Sequence, residues 1–127
     1  MAILPIGNPA IQPNASTLSS AQTGNGASTN VIDRGGSTGP ALLTITTTVG
    51  ATPTCTYLIE GSADGLDFFP VAYADAATPE TVSVATFIVT SATTVRKILR
   101  PNHPWRFLRV TFSLNTNVTN TVTVQTF

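Results

Sequence analysis

From Ala41 to the end, the chain is organised by a period of two. Leu43, Ile45, Thr47 and Val49 alternate with Leu42, Thr44, Thr46 and Thr48. Cys55, Tyr57 and Ile59 share one phase of their segment. Leu108, Val110, Phe112 and Leu114 share another, as do Val118, Val122 and Val124. Side chains of a strand point alternately to opposite faces, so this pattern marks strands with one face buried. Threonine, at 23 residues, is the most frequent residue. Its branched Cβ favours pleated sheet over helix. Turn signals separate the segments, including Gly50-Ala51-Thr52-Pro53, Asp64-Gly65 and the loop Asp75 to Glu80. Strands at a spacing of about 8–12 residues point to an antiparallel β-sandwich, jelly-roll-like, with seven or eight strands. The expected core is Leu43, Ile45, Ile59, Val84, Val110, Phe112 and Val122. No segment sustains a helical period.

The N-terminal region reads differently. Residues 1–30 carry no charge, and the stretch from Asn14 to Asn30 is close to low complexity. Such a segment buries too little apolar surface to offset its ordering entropy alone. Ile3, Leu4, Ile6 and Ile11 are spaced by Pro5 and Pro9, as in an extended peptide that lies on another surface. The predicted organisation is therefore an extended N-terminal arm and linker over 1–40 and a β-sandwich domain over 41–127. The opening apolar stretch lacks a basic flank and is broken by prolines, so no cleaved export signal is read there. No run approaches the length of a membrane helix.

Chemistry is sparse. Cys55 is the only cysteine and His103 the only histidine. One of each cannot fill the three or four protein ligands of a zinc site. A Ser-His-Asp relay would have to pass through His103, which sits between Pro101 and Pro104 with no recognisable nucleophile setting. No phosphate-binding glycine loop is present. The sequence predicts neither an enzyme nor a cofactor. Glu60, Asp64 and Asp67 form the one acidic cluster, readable as weak calcium ligands or as a β-turn built on Asp64-Gly65.

Six basic and six acidic residues cancel. They are segregated: five of the six acidic residues fall between Glu60 and Glu80, and five of the six basic residues between Arg96 and Arg109. The blocks can pair within the chain, remain as solvated edges, or meet across neighbouring subunits. In the last case Arg96, Lys97, Arg100, Arg106 and Arg109 join the arm residues Ile3, Leu4, Ile6 and Ile11 as partner-binding residues. The same basic residues with Trp105 and Phe107 would form a single-stranded nucleic-acid site, but a neutral chain lacks the positive surplus that draws in a phosphate backbone.

The stretch Tyr57-Leu58-Ile59-Glu60-Gly61-Ser62-Ala63-Asp64-Gly65-Leu66-Asp67-Phe68-Phe69-Pro70-Val71 resembles a pattern in small β-sandwich virion proteins of tailed bacteriophages. There a strand ends in Glu-Gly-Ser, an Asp-Gly turn follows, and an aromatic opens the next strand. Pro104-Trp105-Arg106-Phe107-Leu108-Arg109-Val110 is similar to a strand near the end of such domains, and the Thr/Asn/Val-rich stretch Thr111 to Phe127 follows suit. The resemblance implies a non-enzymatic structural protein of the virion. With an N-terminal arm, it favours the capsid decoration or cement type, made in the host cytoplasm and placed on the capsid surface. The implied partners are the major capsid protein and neighbouring copies in a homo-oligomer, with no nucleic acid and no membrane. The alternative is a carbohydrate-binding or tail/fibre module, which would expose a cluster of aromatic side chains.

Overall fold

The computed structural model describes residues 14–35, 39–100 and 104–126. The arm residues Ile3, Leu4, Ile6 and Ile11, and His103, lie outside the described residues. Every described element is a strand: β1 (Asn14–Gln22), β2 (Gly26–Ala27), β3 (Ile32–Asp33), β4 (Ala41–Ser62), β5 (Phe69–Pro70), β6 (Tyr73–Asp75), β7 (Val82–Ser83), β8 (Phe87–Val89), β9 (Thr94–Leu99) and β10 (Phe107–Thr126). They form one antiparallel sheet with the main order β1-β10-β4-β9-β6-β7. Seven or eight strands in a jelly roll were expected. Hydrogen bonding instead joins ten strands into a single sheet.

The spine is the pair β4 and β10, in register from Phe107 opposite Ser62 to Thr126 opposite Ala41. A straight strand of 22 residues would extend roughly 73 Å, twice the diameter of a compact domain of this size. The two strands therefore bend. Their register slips between Ser113 and Val118, and Thr52, Leu114 and Asn117 adopt positive φ of 48°, 51° and 54°. Asn117 Nδ2 donates to the Ala51 carbonyl at 2.6 Å, and Asn115 Nδ2 donates to the Thr23 carbonyl at 3.1 Å. These bonds stabilise a corner that β-branched and Leu residues disfavour. The expected turn at Gly50-Ala51-Thr52-Pro53 is thus a bend within one strand, not a chain reversal. The segment from Phe107 to Thr126 is likewise one bent strand.

The bend folds the sheet onto itself. Tyr57 lies opposite Phe112, and Asn120 opposite Thr47. A straight β10 would separate residues 112 and 120 by about 26 Å. Yet the Tyr57 hydroxyl donates to Asn120 Oδ1 at 2.5 Å, and Asn120 Nδ2 donates to Cys55 Sγ at 3.7 Å. Both halves of each long strand consequently line one core. Leu43, Ile45, Tyr57, Ile59, Val110, Phe112, Val118, Val122 and Val124 are all buried there. Burial pushes the Tyr57 hydroxyl and the Cys55 thiol above their ordinary pKa values, so Cys55 is a buried packing residue.

Three expectations are corrected. The boundary at residue 40 does not separate an arm from a body. β1 pairs with the C-terminal half of β10, and β2 and β3 pair with its N-terminal half. Leu18 is fully buried, Ile32 is buried, and Asn30 N donates to the Leu18 carbonyl at 2.9 Å. Second, Val84 is 58% exposed and outside the core. β8 pairs Cys55 with Val89 and Tyr57 with Phe87, so Phe87 and Val89 face inward and Ile88 faces out. Third, Leu114 is exposed, because it sits at the corner of β10.

Candidate functional site

The loop after β4 begins with a strongly determined turn. Ser62 Oγ accepts from Gly65 N at 2.9 Å and donates to Asp64 Oδ1 at 2.9 Å. Asp64 Oδ1 also accepts from Leu66 N at 2.8 Å and Asp67 N at 3.0 Å. Gly65 takes φ +80°, a conformation that disfavours other residues. The backbone donors of Asp67 and Leu66 hold the Asp64 carboxyl down at about 2. Glu60 faces elsewhere: it accepts from Arg109 Nε at 3.2 Å and from the Thr111 hydroxyl. Glu60, Asp64 and Asp67 thus do not form the suggested calcium cluster. Among the described residues, no three His, Cys, Asp or Glu side chains gather to hold a metal.

The two charge blocks meet inside the chain. Arg109 pairs with Glu60, Lys97 with Asp75, and Arg100 with Glu80 at 3.2 Å. Arg106 pairs with Asp33 from outside the acidic block, through Nε at 2.8 Å and Nη2 at 3.0 Å. That fork, helped by Gly35 N, holds the Asp33 carboxyl at about 2 and raises the Arg106 guanidinium. Lys97 is corrected most sharply as a partner-binding residue. It lies opposite buried Leu43 and is itself buried. Its ammonium rests 4.5 Å from the Phe87 ring centre. Arg109 likewise stacks on Phe68 at 3.8 Å. Of the five basic residues singled out in the sequence, Arg96 alone makes no ion pair among the described residues.

Part of the exposed surface is apolar. Val82, Val84 and Ile88 are 43%, 58% and 62% exposed. They lie in a stretch, Thr81 to Val95, without a single charge. A second exposed pair is Leu66, on the loop after β4, and Phe69, at the start of β5. Four of the nine aromatics gather around that loop. Phe69 stacks on Trp105 with ring centres 5.8 Å apart, Phe68 covers Arg109, and Phe107 lies beside Gly65. Trp105 in turn lies so close over Gly61 that a Cβ there would come within 2.5 Å of the indole.

Sequence reasoning placed Val84 in the core and passed over Leu66. The available signal was the lack of charge from Thr81 to Val95, which leaves both faces of that segment free of the residues that mark an exterior.

No protein-family model matches the chain, and no curated protein sequence matches it. Among solved structures, the chain is similar to the crystal structure of the SPBc2 prophage-derived protein YomS. The TM-score is 0.65 at 7% sequence identity, over 100% of both chains. The likeness is therefore one of fold, carried by the whole chain and shared with a protein of prophage origin.

Proposed function

We propose that this chain is a non-enzymatic virion structural protein of a tailed phage, a decoration or cement protein that binds the capsid lattice. The observation that carries the reading is the exposure of Val82, Val84 and Ile88, in one uncharged stretch, on a body that satisfies most of its charges internally. A surface of that kind suits broad apolar contact with a large partner. The whole-chain likeness to a prophage-derived protein supports the phage origin. In this reading the two halves of the bent sheet act as the layers of a sandwich. Residues 1–13, with Ile3, Leu4, Ile6 and Ile11, add contacts to the major capsid protein, and many weak contacts become strong on a repeated lattice.

The test is occupancy on purified particles. The wild-type chain remains bound in 1 M salt, where the Debye length is about 3 Å and rim charges are screened. Val84→Asp and Ile88→Asp leave the circular dichroism spectrum unchanged and abolish occupancy. Absence of the chain from particles, or full occupancy of both variants, overturns the reading.

A carbohydrate-binding or fibre module has one observation in its favour, the grouping of Phe68, Phe69, Trp105 and Phe107 at one end. All four rings already have a face engaged: Phe68 by Arg109, Phe107 by Arg106, and Phe69 and Trp105 by each other. Glycan binding lost in Phe69→Ala would favour this second reading.

A further inference from the structure

Ten of the twelve charged side chains are accounted for within the chain. Four basic residues pair with four carboxylates. Arg34 is buried and donates to the carbonyls of Gly39 and Trp105. Asp64 closes its own turn. One charge of each sign is left, Arg96 and Asp67. Both are exposed, and neither makes an ion pair among the described residues.

Their surroundings are complementary in apolar character as well as in charge. Arg96 lies opposite Thr44, in the phase that points away from buried Leu43 and Ile45. It borders a groove of about 610 Å³ lined among others by Ala76, Ala77, Thr78 and Thr94 and by Asp75 and Lys97, which neutralise each other, so that Arg96 carries the groove's net charge. That volume lies within the range of roughly 300–1,000 Å³ typical of clefts that take a ligand. Asp67 stands on a protruding loop between two apolar side chains, Leu66 at 82% exposure and Phe69 at 52%. The loop follows the C-terminal end of β4, whereas Arg96 flanks its N-terminal half on the outer face of the other layer.

We infer that the loop Asp64–Phe69 of one copy docks in the Arg96 groove of a second copy. Asp67 meets Arg96, and Leu66 packs on Ala76 and Ala77. The two surfaces differ, so the contact is head-to-tail and propagates into rows or closes into rings. It goes beyond capsid binding and belongs to the free chain, so it stands or falls separately from occupancy on particles.

Charge exchange between two variants tests it. Sedimentation velocity of the full chain, from micromolar to millimolar, shows concentration-dependent association of the wild type. Arg96→Asp alone and Asp67→Arg alone each weaken that association by about tenfold or more, because like charges then face each other across the contact. An equimolar mixture of the two variants associates again, since each supplies the charge the other lacks. Recovery in the mixture also shows that both variants are folded. Leu66→Ser weakens association without recovery by either variant. A wild type that stays monomeric throughout, or a mixture no better than its components, overturns the inference.

Discussion

Residues 14–33 are mostly serine, threonine, asparagine, glycine and alanine, whereas residues 81–94 alternate Val82, Val84, Ile88 with Phe87 and Val89. The first stretch pairs with both ends of β10 and contributes buried Leu18 and Ile32. The second leaves three of its five large apolar side chains exposed. Pairing explains the difference. β10 is a central strand, and a segment laid along it gains backbone hydrogen bonds that hardly depend on its side chains. Its buried polar groups are satisfied locally: Ser28 Oγ donates to the Asn30 carbonyl at 2.9 Å and accepts from Val110 N at 3.3 Å. Residues 81–93 pair with the sheet through β7 on its edge and β8 beside the bend, with further bonds from Ser91 and Thr93 to Thr47, and these contacts leave Val82, Val84 and Ile88 exposed. Apolar alternation therefore marks the faces of a strand without saying whether both faces are covered.

Truncation breaks the comparison most directly. Removing residues 1–30 strips β1 and β2 from β10 and leaves its edge and Leu18's site open. The expected outcome is loss of cooperative thermal unfolding. Removing residues 1–13 spares those pairings and leaves the melting temperature unchanged. An unchanged melting temperature in the longer deletion would show that β1 and β2 only decorate the body.

Point substitutions sharpen it. Phe112→Ala, at the centre of the core, costs about 3–5 kcal/mol, and Leu18→Ala about 2–5 kcal/mol. Val84→Ala changes stability by less than about 0.5 kcal/mol, because the residue is exposed. Denaturant unfolding measures all three. A Leu18 variant as mild as the Val84 variant would place β1 outside the cooperative unit.

The smallest effect is acid sensitivity at the outer end of the same edge. The Asp33 carboxyl is held at about 2 against its ordinary 3.8, first by Arg106 and then by Gly35 N. A depressed folded pKa contributes stability above the unfolded value, lost as pH falls from about 4 through about 2. Carboxyl NMR titration should show Asp33 protonating near pH 2 in the wild type and nearer its ordinary value in Arg106→Gln. Because both side chains are half-exposed, the stability change is small and fades with added salt.

Much of this molecule was legible in the chain. Period-two alternation located the buried phases of β4 and β10, from Leu43 and Ile45 through Tyr57, Ile59, Val110 and Phe112 to Val122 and Val124. Asp64-Gly65 marked a real turn, and the segregated charges were compatible with internal pairing, solvated edges or subunit contact, of which the structure shows internal pairs. These are local or compositional properties, set by backbone geometry and residue chemistry near each position. Tertiary structure decided the rest. Gly50 to Pro53 reads the same whether the chain reverses or bends, and only the register of β4 against β10 selected the bend. Lys97 looked like a surface cation, yet pairing with β4 turned it inward onto Phe87 and Asp75. Leu18, alone among serines, became a core residue because β10 lay beside it. A strand's sequence specifies its two faces, but what covers each face depends on partners distant in the chain.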